Sequence, residues 1–201
     1  MGTHNLAATL IAGRGVVLIG DETAIQPTYA QFRSYIDAGA NESSLPTGFT
    51  PLGETDPEAL PEWSTEGGEP TVKRTWRVEA ARETKTPAVH SMIVNPLQFD
   101  NATMRLREGV GDETQPGVFV SPAITAPTEA PILIVYLDGS NPVGEYLGRC
   151  SIGAADSITP GTEAWRKIPL GCTRSDPTDA NPNPAWLGRW FGTDPTVPVG
   201  P

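Results

Sequence analysis

Residues 46–76 read PTGFTPLGETDPEALPEWSTEGGEPTVKRTW, and the reading of that stretch decides the fold. Neither a helical nor a strand period appears in it until Val72. Pro46, Pro51, Pro57, Pro61 and Pro70 forbid a continuous helix or a central strand. Gly67-Gly68 offers the freedom for a tight turn before a strand begins. A loop of this length inside a domain is usually functional or disordered. Plain disorder is disfavoured by Phe49, Leu52, Leu60 and Trp63, which recur along it. Burying those four side chains gains less than the entropy lost in ordering the whole segment. The expectation is therefore that this loop orders by docking on another surface. The alternative is a loop folded back over its own core.

Working outward, composition sets the bounds. The 201 residues suit one domain, or one domain with arms. Glycine and proline number 21 each, which favours short strands and many turns over a helical bundle. A net charge of −10 disfavours nonspecific binding to nucleic acid or to an anionic membrane, although solubility alone would also select it. No stretch approaches the apolar length of a membrane span. Residues 6–12 are apolar but follow no basic residue and lead into a strand-like segment, so no signal peptide is expected. Two cysteines, Cys150 and Cys172, exclude a disulfide scaffold and fit assembly in a reducing cytoplasm.

Along the chain, residues 1–12 read as a flexible arm and 15–19 as the first strand. Gly13-Arg14-Gly15 precedes a strand rather than opening a helix, so it is no phosphate loop. Thr28 caps a predicted helix to Asp37, with Tyr29, Phe32 and Ile36 on one face and Gly39 beyond its end. From Val72 the pattern alternates: Val72, Trp76, Val78 and Ala80 on one face, Lys73, Thr75, Arg77 and Glu79 on the other, with Arg74 interrupting. Residues 88–94 are its predicted partner across a turn at 83–87, a hairpin with one wet face. Asp100 and Gly109 bracket a two-turn helix containing Ala102, Met104 and Leu106.

Strands are then predicted over 117–120 and 132–138. The run Ile132–Leu137 shows no alternation, so both its faces should be covered, one by the core and the other by a helix or a neighbouring subunit. Residues 143–153 and 165–172 are the last strand candidates. A simple hairpin between them, turning near 157–158, sets Cys150 opposite about Lys167 and disfavours a Cys150–Cys172 bridge. Residues 176–201 cannot form a core of their own. Their aromatic cluster, Trp186, Trp190 and Phe191 around Arg189, should dock, either on the parent domain or on a neighbour.

Chemistry-bearing patterns are scarce. His4 and His90 have no Cys or carboxylate at ligand spacing, so a zinc site is not expected. A nucleophile elbow, a Walker loop and a Cys-x-x-Cys pair are all missing, and nothing selects an acid/base carboxylate pair. Asp112-Glu113 lacks the EF-hand pattern for calcium. No catalytic residue, cofactor or metal is expected.

A family resemblance runs through the opening stretch. Phe49-Thr50-Pro51-Leu52-Gly53-Glu54-Thr55, then Pro61-Glu62-Trp63, Glu66-Gly67-Gly68-Glu69 and Thr75-Trp76 resemble the tail tube (major tail) proteins of long, non-contractile-tailed phages, especially those of actinobacteria. The likeness continues through Gln98, Asp100, Thr103 and Gly109, and more faintly through Leu137-Asp138-Gly139, covering roughly 13–152. It implies a mainly β fold, a β-sandwich or barrel with one or two short flanking α-helices. The organisation implied is an arm at 1–12, a tail tube domain at 13–175 with an inter-ring loop at 41–71, and a C-terminal arm at 176–201.

The resemblance further implies sixfold rings stacked into a tube, assembled in the host cytoplasm and carried in the virion. Its partners would be other copies, the tape measure, terminator and distal tail proteins, and DNA in passage, with no membrane. Phe49, Leu52, Leu60, Trp63, Trp186, Trp190 and Phe191 are the candidate inter-ring or inter-subunit contacts. Glu79, Glu83, Asp138 and Glu145 are the candidates for an acidic lumen lining that lets DNA pass without sticking. A second reading, from a different class, is a carbohydrate-binding β-sandwich module of a tail tip. Trp63 and Trp190 would be its stacking platforms.

Overall fold

The computed structural model describes residues 13–79, 82–109, 111–121, 123–138, 142–158, 160, 165–175 and 187–190. The chain is mainly β. It runs through β1 (Arg14–Gly20), α1 (Tyr29–Asp37), β2 (Phe49–Pro51), β3 (Glu62–Gly67), β4 (Pro70–Lys73), β5 (Arg82–Lys85) and β6 (Ala88–Val94). There follow α2 (Asn101–Glu108), β7 (Asp112–Gln115), β8 (Val118–Val120), β9 (Thr128–Leu137), β10 (Val143–Ala154), β11 (Leu170–Arg174) and β12 (Leu187–Trp190). One antiparallel sheet takes the order β2-β1-β9-β10-β11-β6-β3, with β12 also on β10.

β9 is the axis of the core. Its unalternating run buries Ile132 and Ile134 in one apolar cluster and Leu133 and Val135 in another. α1 covers the second cluster with Phe32 and Tyr35, over Leu18, Phe49 and Tyr146. The predicted capping is present: Thr28 Oγ1 accepts from the Gln31 amide while Gln31 Oε1 accepts from the Thr28 amide. Both faces of β9 are thus covered within the subunit, and a helix does the covering.

The first cluster joins Val17 of β1 to Met92 and Val94 of β6. Three strands separate β1 from β6 in the sheet order. In a flat sheet that is four strand spacings, roughly 19 Å. Residues 52–56 bridge that span, the Leu52 amide donating to Val17 O on β1 and the Asp56 amide to Asn95 O just past β6, so the sheet curls over itself as a sandwich. A bulge between Leu147 and Cys150 helps: before it β10 pairs with β12, after it with β11. α2 lies against β9 and β10, capped by Asp100, whose carboxylate accepts from the Thr103 amide at 2.8 Å. Gly109 closes it through a bond to Arg105 O.

Several expectations need correction. The last strand before residue 176 is Leu170–Arg174; residues 165–169 are not a strand, because the connection after β10 is longer than a simple hairpin. Cys150 stands opposite Arg174, and Cys172 opposite Ile152. The cysteines are therefore diagonal neighbours, both free and buried. β7, paired with β8, has no counterpart among the predicted strands.

The largest correction concerns 46–67. β2 pairs with β1, the Leu52 amide donates to Val17 O, Leu97 N to Glu54 O, and Asp56 N to Asn95 O. Asp56, buried, also meets Lys167 Nζ and accepts from the Glu58 amide. Lys167 leads the effects that hold the Asp56 carboxyl below the usual carboxylate range. These main-chain bonds and this ion pair order the segment on its own subunit, and its side-chain pattern does not reveal them.

Candidate assembly surface

The strands β3 and β6 pair with Gly67 opposite Ala88. Three residues further along each strand, Pro70 stands opposite Lys85 in the β4–β5 pair. Register is unbroken, so residues 62–94 form one long hairpin arm. The predicted pairing of 72–80 with 88–94 is replaced by β4 on β5, and the expected turn at 83–87 is largely strand. Chain reversal occurs beyond Lys73, where the Thr75 amide donates to Val78 O at 2.8 Å.

Gly67 and Gly68, with φ of 77° and 75°, do not reverse the chain. They lie where the main sheet ends and the β4–β5 ribbon begins. A Cβ on Gly67 would lie 2.6 Å from Pro87 O, so the strands can approach there only without a side chain.

The two halves of the arm differ. In the proximal half Trp63 packs against the core and donates its indole N–H to Glu145 Oε2 at 2.9 Å. Tyr136 Oη lies 3.5 Å from the same oxygen. Among the described residues, no layer lies beneath the distal half. Val72, Trp76 and Val78, the face read as apolar and inward, are exposed, and Trp76 is fully so at 104%. The alternation marks a strand only as far as Lys73; Trp76 and Val78 lie in the reversal that follows it.

Beside the arm's root lies a groove of about 580 Å³. Val17, Ile134 and Tyr136 form its floor, and the 54–61 loop and Trp165 its walls. Leu60 and Trp165 are exposed. Among the described residues, no group of three or more His, Cys, Asp or Glu side chains is placed to hold a metal ion. His90 instead faces Thr65 across the strands, Nδ1 to Oγ1 3.0 Å.

A profile of the phage tail tube protein family matches residues 2–197. The chain belongs to that family. It is 31% identical to the major tail protein Gp23 of Mycobacterium phage L5 over 200 residues, 98% of this chain and 99% of the relative. With the major tail protein Gp23 of Mycobacterium phage D29 it shares 28% identity over 195 residues, 96% and 97% of the two chains. The protein is thus a structural subunit of a phage tail tube, a component of the virion. The match extends beyond the 13–152 span of the sequence likeness.

This tail tube subunit distributes the candidate residues unevenly. Phe49 and Leu52 are buried in the subunit's own core, and Trp63 is engaged there, so these three are corrected from interface to interior. Leu60 remains exposed. Trp190 ends β12, which pairs with β10 of its own chain; Trp186 and Phe191 lie outside the described residues. Of the acidic candidates, Glu79 and Glu83 are exposed on the distal arm, while Asp138 follows β9 and is half-buried. Glu145 is only 9% exposed and accepts from Trp63, which withdraws it from any aqueous lining.

Sequence reasoning missed Arg107. Buried on α2, it donates to Pro169 O at 2.8 Å and Asp156 O at 2.6 Å, clasping the β10–β11 connection. A lone arginine inside a helix reads as a solvated residue, and only the folded partner loop reveals the clasp.

Proposed function

We propose that this tail tube subunit closes into sixfold rings that stack into a tube, and that its arm bridges successive rings. The observation carrying this reading is the arm itself, whose distal half exposes Val72, Trp76 and Val78 with no layer beneath them among the described residues. Free apolar surface on a projecting ribbon is stabilised when another copy covers it. The connector is therefore shifted outward from the 41–71 loop to the 70–85 ribbon. Ring closure joins the terminal strands β2 and β3 of neighbouring sheets, a head-to-tail contact that closes, while stacking stays open and polymerises. The role is structural and not catalytic. The ends of such a tube meet the tape measure, terminator and distal tail proteins.

A net charge of −10 per chain makes a lumen that repels the DNA backbone, with screening limiting its reach to about 8 Å at physiological salt. Asp138, Glu79 and Glu83 remain as lining candidates. Negative-stain microscopy of concentrated protein should show rings or tubes, whereas discrete monomers that bind cell-wall glycans would overturn the reading. Reversing the charge at Asp138 should slow genome delivery with tubes intact, whereas reversal at Glu79 and Glu83, on the ribbon between rings, should also alter polymerisation. Unchanged infectivity would remove those residues from the lining.

A further inference from the structure

We infer that the arm tip of one subunit docks, through Trp76, in the groove between β1 and the 54–61 loop of a second copy. This rests on the tube reading and names the two surfaces that would meet. Charge is the first observation. Residues 34–72 hold eight carboxylates and no Lys or Arg, whereas residues 73–85 hold five Lys or Arg against two Glu. A chain of net charge −10 therefore concentrates positive charge around the tip of the arm.

The groove wall belongs to the acidic block. Asp56 is held by Lys167, and Arg14 lines the groove beside Glu54; Glu58, exposed in the same loop but outside the lining, adds a further carboxylate at the rim. Arg74 and Arg77 flank Trp76 and are the complementary cations. Opposite charge selects the partner and its orientation, and a buried aromatic anchors it.

Shape is the second observation. Trp76 is fully exposed, so it does not occupy its own subunit's groove. From Gly67 to Lys73 the extended chain carries the tip roughly 20 Å beyond the main sheet. A cleft of about 580 Å³ floored by Ile134 and Tyr136 and flanked by Leu60 and Trp165 accepts an indole with room for a neighbouring side chain. Ring-on-ring contact with Tyr136 or Trp165 and an arginine over either face are the expected geometries.

The test mixes two full-length variants, Val78→Cys and Leu60→Cys, under oxidising conditions, which leaves the Trp76 anchor in place. Both positions are exposed, and the native cysteines are buried. A cross-linked pair in the mixture, and in neither variant alone, is expected. Separately, Trp76→Ala should keep the wild-type circular dichroism and raise the concentration threshold for tube formation by about tenfold or more. The wild-type threshold should rise with salt, and less so in an Arg74→Gln, Arg77→Gln variant. Wild-type assembly by Trp76→Ala, or no cross-link in the mixture, overturns the docking while leaving the tube intact as a reading. An introduced thiol that is shielded from alkylation in the Leu60→Cys monomer would assign the groove to the chain's own residues 1–12 and likewise overturn it. Wild-type protein that never polymerises would sink the tube reading itself.

Discussion

Trp63 and Glu145 lie 82 positions apart in the chain and meet because the sheet curls. The carboxylate is nearly buried, so its hydrogen-bond donors set its cost. Trp63→Phe keeps most of the packing and removes the indole donor. It should lower stability by about 1–3 kcal/mol, measured by urea unfolding. An unchanged midpoint would show that Trp63 serves by packing alone. The two cysteines make a second case at this scale. Burial pushes the Cys172 thiol up to about 12 and the Cys150 thiol further up still. Both should resist alkylation in the native protein and react freely in denaturant. The folded state keeps these protons where an unfolded thiol loses its own, from about pH 8.5 upward. Stability from this source is therefore complete below that pH and declines as pH climbs toward 12. A flat alkaline limb in a stability profile would contradict the burial.

Among the elements, the arm is the one whose two ends obey different rules. β3 and β6 are integrated in the sheet, while β4 and β5 pair only with each other. The joint at Gly67 fixes how the ribbon leaves the body. Gly67→Ala places a side chain against Pro87 O in a left-handed backbone, so it should cost about 1–2 kcal/mol. It should also impair polymerisation beyond what that loss of stability explains, measured as assembly threshold against thermal midpoint. A variant that is less stable but assembles normally would deny the joint a directing role. α2 shows the same mixture of local and distant causes. Its ends follow from Asp100 and Gly109, yet Arg107 attaches it to a loop some fifty residues downstream.

For the whole molecule, the decisive feature is a sheet whose main path ends in the short β2 and the longer β3, with β12 branching from β10. β3 carries Ser64, Thr65 and Glu66 on an exposed edge. Proline at 61 and 70 confines that edge to a short length and so limits uncontrolled pairing. If rings close through these strands, the outward-facing amides of β3 should exchange quickly in the monomer and slowly after assembly. Equal exchange in both states would move the ring contact elsewhere. The 70–85 ribbon should show the same contrast only when rings stack, which separates closure from polymerisation.

Much of this was legible residue by residue. The capped helices, the strand at 15–19, the doubly buried β9 and the mainly β class follow from local periods, caps and an unbroken apolar run. The family was legible from the 49–76 pattern. The order within 46–67 was not, because it depends on main-chain bonds to Val17 and Asn95 and on the Asp56–Lys167 pair, all distant in the chain. Alternation suggested a strand from Val72 to Ala80, but the strand stops at Lys73 and the chain then reverses, which only the β4–β5 pairing shows. The sequence by itself determined the two capped helices, the first strand and the unalternating β9, since those depend on neighbours within a few residues. Only the tertiary structure decided that Phe49, Leu52, Trp63 and Glu145 turn inward while Trp76 stands out in water. Burial is a property of what the folded chain places alongside a residue.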